Sequence, residues 1–597
     1  MLQELLQYAR RKELVTEPGF APKEVRWAVV FDRHGKFLQV LSLAPEGQRK
    51  GRGRVFGRAP DLTQPEMKRG GAGCRHFLID SADVVALHEA GPDQAKALAK
   101  HEYFVSLLQQ ASAADPTLAP IAAGLREEAV LSSIREAFEE NKVKASDKVT
   151  VATMSPVLDF PVDRDAWHDW WRAFRASLAR THDGDTRAEM RCVATGEMVK
   201  PAATHPKVSG LADVGGIAMG DSLVSFKQEA FSSYGLAQSA NAAMSEAAAV
   251  AYRAALNDIV SKSYRLGHSR VAYWFKDAVR AADDPFAFLT DLPGSLVEGD
   301  ALNSARVLLD SVRSGTRSAD LGKNRFHMLT MSGASGRIMV RDWSTGAFGD
   351  LAQSVAEWFE DLSVIEQDGS GRLARAPKFF AVCAGLVRDV DTLSPAVEVQ
   401  LWRAATQTPV RQIPDAAMAL ALLRFKVDLL KGERFNHARV GLMKAYHRRK
   451  GDKKMAPGLV EDHPSAAYQC GRLMAVYSRI QQASDRDRAR KGEGINVGVV
   501  ERFYAAASVT PALVLGRLDA LSRHHRSKLR STGKEGLAVW FGDRLTSIWA
   551  RIDRNVPSTL TLAEQSLFAL GFYQELATRA TTSSAHEADD NSEGATE

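Results

Sequence analysis

At 597 residues, 45% of them hydrophobic and 25% charged, the chain is long enough for two or more domains with substantial cores. Lys and Arg number 78 against 72 Asp and Glu, a formal charge of +6; the acidic segment after Ala580 masks a more basic remainder, and this balance suits a polyanionic partner. The four cysteines, Cys74, Cys192, Cys383 and Cys470, form no C-x-x-C, and no apolar run reaches the width of a bilayer, which excludes a disulfide framework, a cysteine-rich zinc site and a membrane span and points to a reducing cytoplasm.

The chain opens on an amphipathic helix, LQELLQYARRKEL, followed by a turn at EPGFAPKE. VRWAVVFDRHGKFLQVLSL reads as a hairpin, two β-rich runs around Asp-Arg-His-Gly. From Pro45 to Gly73 the sequence is rich in Gly, Pro, Arg and Lys and is expected to be loop. CRHFLIDSADVVAL predicts a strand leading into a helix, residues 95–141 are helical with a break near Asp115-Pro116, and KVTVATM is a strand. DRDAWHDWWRAFRASLA predicts an amphipathic helix with a tryptophan face. Residues 191–274 mix turns and short strands around one helix, from about Ser245 to Ile259, and end on the strand HSRVAYWF. A further helix, DALNSARVLLDSVRSG, precedes two β runs around SGASG and the helix TGAFGDLAQSVAEWFEDL. Past DGSGRLARAP, a boundary near residue 375, strand signals nearly vanish and helices recur between prolines. The fold class is therefore an α+β N-terminal region over 1–375, an all-α helical bundle over 376–580, and a disordered acidic tail over 581–597.

Three groups of residues stand out chemically. Arg49, Lys50, Arg52, Arg54, Arg58, Lys68, Arg69 and Arg75 are interleaved with glycines; they read either as a solvated surface loop or as a grip on nucleic acid, since Gly lets a backbone approach phosphate and Arg grips it bidentately. In RLDALSRHHRSKLR, Arg517, Arg523, His524, His525, Arg526, Lys528 and Arg530 crowd about four helical turns with few acids, a pattern able to track a nucleic-acid backbone. Lys207, Lys227, Ser209, Ser232, Ser233, Tyr234 and Asn241 surround the central block. They read either as a polar wall for nucleic acid or a protein neighbour, or as caps of turns and helix starts. For catalysis the sequence offers little. There is no phosphate-binding G-x-x-x-x-G-K-[ST] and no G-x-S-x-G elbow. His182, Cys192 and His205 lack zinc spacing and a fourth ligand, and the pair His168-Asp169 lacks the further ligands of a metal-dependent phosphohydrolase. No cofactor and no metal are expected.

HPKVSGL, SFKQEAFSSYG, Asn241 and the helix from Ser245 to AYRAALN resemble the large subunit of the type I-C CRISPR Cascade surveillance complex. The likeness extends to LLQYARRKEL with PGFAPKEVRWAVVFDRHGKFLQV, to HFLIDSADVV (Ser81 standing where the family has Asn) and to RFHMLTMSGASGRIMVRDW. It continues through AAYQCGRLMAVYSRIQQAS, RFYAAASVTPALV and LTLAEQSLFALGFYQE. The resemblance implies a non-catalytic subunit of a complex that holds a CRISPR RNA, backbone subunits and a handle-binding subunit. It implies recognition of the protospacer-adjacent motif in duplex DNA, help in parting the strands, support of the displaced strand, and recruitment of a helicase-nuclease. Base pairing would supply most of the sequence specificity in that scheme. It further implies that the C-terminal part is also made separately as the small subunit, from Met455 or Met474. Under this reading the Gly-Arg residues grip the flanking duplex and Arg523, Arg526, Lys528 and Arg530 lie along the displaced strand. Two other readings compete: a metal-dependent nuclease built on His168 and Asp169, and a scaffold that touches only protein.

Overall fold

A computed structural model describes every residue except 15–16, 45–52, 72, 90, 92, 155, 181–187, 227–228, 233, 237, 291–300, 315–320, 408, 410, 491–497, 554 and 579–597. The chain divides into two compact units: unit 1 is Met1–Lys262 with Gly333–Met339, and unit 2 is Ser263–Ser332 with Val340–Glu597. No described helix is long and apolar enough to cross a membrane.

Unit 1 is built on a mixed sheet of β2 (Trp27–Asp32), β3 (Phe37–Ser42), β5 (Ile79–Ser81) and β6 (Lys148–Met154) in the order β3-β2-β6-β5, with β7 (Leu158–Asp159) paired to β6. The hairpin expected at Asp32-Arg33-His34-Gly35 joins β2 to β3, while β2 runs parallel to β6. β2 buries Trp27 through Phe31 without alternation, as a strand covered on both faces does. The tryptophan helix, His168–Arg180, closes this core. Trp167 and Trp171 are fully buried, and each indole N–H has an acceptor: the Pro161 carbonyl at 2.9 Å and the Gly19 carbonyl at 2.7 Å. β8 (Met190–Arg191) pairs with β9 (Met198–Val199), and the helix Glu246–Ser261 starts at Ser245, whose hydroxyl accepts from the Ala248 amide.

Two expectations fail here together. The turn at EPGFAPKE contains β1 (Phe20–Val25), and the expected loop contains β4 (Arg54–Pro60), its antiparallel partner. Phe20, Val25, Phe56 and Ala59 are buried between them and the core. Each run is too short and too rich in Pro, Gly and charge to declare itself, and only the pairing supplies the missing apolar partner. The same stretch also holds a helix, Gln64–Arg69, started by a reciprocal Thr63–Glu66 capping box.

Unit 2 contains the sheet β10 (Tyr264–Leu266), β11 (Ser269–Phe275), β12 (Arg325–Ala334) and β13 (Arg337–Ala347) in that order, except for the segment of β12 and β13 grouped with unit 1. β12 is buried from Phe326 to Gly333. The helix Phe348–Leu362 follows, and its Phe348, Leu351, Val355, Trp358 and Phe359 share one core with the helices beyond residue 379. The segment expected as a boundary near residue 370 lies within this unit: Ile365 bridges Leu373, and Ala374 and Ala376 are buried.

The helical part is arranged around one long helix, Ala466–Arg490, packed on Pro511–Ser531, Glu535–Ile552 and Leu562–Leu576. Its closest approach is to Leu562–Leu576. A Cβ on Gly471 would overlap the Phe568 carbonyl, and one on Gly571 would overlap the Tyr468 carbonyl, so reciprocal glycines let the two backbones touch. The contact is locked by Arg472, wholly buried. It donates to Glu575 Oε2 at 2.8 Å, to Gln469 Oε1 at 2.8 Å and to the Glu461 carbonyl at 2.9 Å. Arg544 from the neighbouring helix reaches the other Glu575 oxygen at 2.7 Å.

Candidate nucleic-acid interface

The structure separates the Gly-Arg residues. Arg49, Lys50 and Arg52 lie outside the described residues, but their stems are defined: Ser42 pairs with Trp27, and Arg54 pairs with Val25. The two stems therefore lie at the same end of the strands, either side of Arg26. Just before Arg54 the Gly53 amide donates to Glu24 at 2.9 Å, and a Cβ there would overlap the Val25 carbonyl. Lys68 and Arg69 follow the other end of β4, in the last turn of Gln64–Arg69; β4 spans seven residues, about 23 Å. Lys68 is exposed, and Arg75 folds back on the Cys74 carbonyl at 2.5 Å.

Arg54 is engaged by its neighbours in unit 1. Its guanidinium covers the rings of Phe56 (4.7 Å) and Phe160 (4.6 Å) and pairs with Asp163 at 2.7 Å. Arg58 covers Phe20 and pairs with Glu17 and Asp165. Arg172 pairs with Glu17 and Asp169, and Arg175 with Glu66 and Glu246.

That network also absorbs the pair considered for catalysis. The His168 ring is buried edge-on to Phe20 (4.9 Å) and Trp167 (4.4 Å), with Nδ1 3.0 Å from Asp165, and Asp169 pairs with Arg172. Burial, then the nearby Arg58 charge, pushes His168 below its ordinary value. Among the described residues no group of three or more His, Cys, Asp and Glu is placed to hold a metal.

The central block is backbone shaped by glycine. Gly215 at φ +90° sits on the Gly333 carbonyl, and Gly216 leaves room for Asp221, whose fully buried carboxylate accepts from the Ile217 amide at 3.3 Å. His205 is buried with Nδ1 3.1 Å from the Tyr252 hydroxyl. Cys192 is also buried. Burial pushes its thiol up, but hydrogen bonds from Thr195 and from the Ala194, Thr195 and Ser245 amides outweigh this and leave it below its ordinary value. Asn241 donates to the Gln238 carbonyl at 3.0 Å, so this amide caps a turn. Lys207 is exposed; Lys227 and Ser233 lie outside the described residues. Tyr234 is 99% exposed at φ +55°, next to Gly235 at +73°. Met219 (82%), Ile217 and Phe231 are exposed in the same block. Sequence reasoning named Tyr234 for its hydroxyl; its unusual exposure and left-handed backbone are visible only in three dimensions.

The cationic helix of unit 2 spans Pro511–Ser531. Pro511, Val514, Leu515, Leu518, Ser522 and Leu529 form its buried face, which leaves Arg517, Arg523, His524 and Arg530 toward solvent. Asp519 is its single acid, 3.3 Å from Arg523, whose side chain remains 74% exposed. Lys528 pairs with Asp485 at 3.2 Å. Arg523, Arg526, Leu545 and Trp549 line a cleft of about 730 Å³ against the helix Glu535–Ile552, and Arg526 Nε is buried there without a hydrogen-bond partner.

A family model described as CRISPR-associated protein (Cas_Csd1) matches residues 2–579. The chain belongs to that family. No protein in a curated set matches it. The Csd1 match extends over both units.

Proposed function

We propose that this Csd1-family chain is the large, non-catalytic subunit of a type I-C interference complex in the cytoplasm. Its partners are a CRISPR RNA bound by backbone and handle-binding subunits, the target duplex, and a helicase-nuclease. It reads the protospacer-adjacent motif in duplex DNA with Arg49, Lys50, Arg52 and Lys68, helps part the strands, and steadies the displaced strand along the Pro511–Ser531 helix.

The observation that carries this reading is the solvent face of that helix. Arg517, Arg523 and Arg530 stand exposed with one acid among them, in a chain of a CRISPR-associated family. Three phosphate contacts to a single strand give a slope of about −2 in log K against log salt. Arg517→Glu, Arg523→Glu and Arg530→Glu together, in the assembled complex, remove that slope and expose the displaced strand to single-strand-specific cleavage. Unchanged slope and protection refute the assignment.

The separate small subunit begins at Met455 in this reading. A start at Met474 cuts the Ala466–Arg490 helix and discards Gly471 and Arg472, whereas Met455 retains Glu461, Arg472, Arg544 and Glu575 together. The nuclease alternative requires His168, whose ring is packed between Phe20 and Trp167. Metal-dependent DNA cleavage by the pure protein, lost on His168→Ala, would restore it.

A further inference from the structure

The open face of the Pro511–Ser531 helix has a complement within the chain. Residues 581–597 carry Glu587, Asp589, Asp590, Glu593 and Glu597 and no Lys or Arg, whereas the helix carries five Lys and Arg against one Asp. The last described residue, Thr578, is anchored beside that helix's neighbour: Arg479 donates to the Thr578 carbonyl at 2.6 Å and to the Leu576 carbonyl at 2.7 Å. Five and six residues further along the same Ala466–Arg490 helix, Ser484 is 3.0 Å from His525 and Asp485 is 3.2 Å from Lys528.

The anchor and the cationic helix are thus about 8–9 Å apart along the shared helix, with one helix width of about 10–12 Å to round. Glu587 follows Thr578 by nine residues. A random coil of nine residues has a root-mean-square reach of about 17 Å, matched to the distance.

We propose that the acidic segment 581–597 docks on the cationic face formed by Arg517, Arg523 and Arg530, as an internal polyanion. Docking itself depends only on charge and tether. Its consequence rests on the proposed function of that face: a nucleic-acid strand must displace the segment to bind. Taking ~0.1 mM for a weak polyanion contact and an effective concentration of about 1 mM for a short tether, the segment lowers apparent strand affinity about tenfold. Stray single strands are then rejected, while a strand held in place by the complex outcompetes the segment.

The test uses the full chain carrying Glu587→Gln, Asp589→Asn, Asp590→Asn, Glu593→Gln and Glu597→Gln. A fluorescent peptide of residues 579–597 is titrated with it, and so is a labelled oligothymidylate. The expected result is saturable peptide binding, weakened at least fivefold by further Arg517→Gln, Arg523→Gln and Arg530→Gln, and oligothymidylate affinity about tenfold above that of the natural chain at low salt. Absence of peptide binding, or binding indifferent to the three arginine substitutions, overturns the docking. Peptide binding that needs the arginines, beside oligothymidylate binding that does not, upholds the docking and refutes instead the assignment of this face to a strand. The arginines are exposed and the acids lie beyond the last described helix, so the melting temperature of each variant is expected to match the natural chain.

Discussion

Glu575→Gln is the sharpest probe of how the C-terminal helices are held. Glu575 is 1% exposed and Arg472 is wholly buried, so their 2.8 Å pair sits in a low-dielectric interior. The amide keeps the shape and removes the charge. Arg472 keeps Gln469 and the Glu461 carbonyl, and Arg544 keeps Glu461, so the loss falls mainly on one uncompensated guanidinium. Breaking a buried pair from one side costs about 3–5 kcal/mol, and the retained bonds place this case near about 3 kcal/mol. Amides of Leu562–Leu576, measured by native-state hydrogen exchange, then exchange about a hundredfold faster. The double variant Arg472→Met, Glu575→Gln recovers at least half of that loss, because an apolar pair needs no compensation. Acceleration below fivefold in the single variant, or no recovery in the double, refutes the argument that a desolvated charge holds this contact.

Gly471→Ala drives a methyl group into the Phe568 carbonyl, a backbone atom that cannot rotate away, and is expected to cost about 1–3 kcal/mol, read as a lower melting temperature; an unchanged melt would mean the helices part freely. Glu398 is buried beside Gly267; burial raises its carboxyl to about 7, with Arg265 opposing and Asp391 adding. The folded protein therefore keeps this proton to about pH 7 while the unfolded chain releases it near 4.5, so its contribution to stability falls as pH rises between those values and is flat above. Glu398→Gln removes that fall, stabilising the protein at pH 8 and changing little at pH 4, as thermal melts across pH would record. A chain of residues 455–597 is expected to give a cooperative melt and one of 474–597 is not, because only the former keeps Gly471 and Arg472 against Leu562–Leu576.

How much of this was legible follows from the range of the interactions involved. The hairpin at Asp32–Gly35, the helix beginning at Ser245 and the recurring helices after Phe379 are local patterns, and each stands where periodicity and capping put it. β1 and β4 were invisible because neither is apolar enough alone and some thirty residues, including the whole β2–β3 hairpin, separate the two partners. Among the candidate site residues, Asn241 as a turn cap was available from residue type, since short amides close turns wherever the chain bends. Arg54 and Arg523 looked alike in sequence because charge is read there without its neighbours. Phe160 and Asp163, which occupy Arg54, come more than a hundred residues later.

That difference between spent and open charge carries a last consequence. In unit 1, Arg54, Arg58, Arg172 and Arg175 are each paired with carboxylates, and three of them also lie over aromatic rings. A phosphate approaching Arg54 must displace Asp163, so the net gain is the difference between two similar contacts. Lys68 is exposed and, among the described residues, pairs with no acid that a phosphate would have to displace. Substituting Arg54→Ala and Arg58→Ala together is therefore expected to cost at most about 3 kcal/mol in stability, since the three exposed or half-exposed pairs contribute about 0–1 kcal/mol each. It leaves the salt slope of duplex binding by the complex unchanged. Lys68→Glu reverses that pattern, with stability kept and the slope reduced by about 1. A fall in slope with the paired arginines and none with Lys68 would mean that the duplex opens the Arg54–Asp163 contact, and that the surface which grips it forms only on binding.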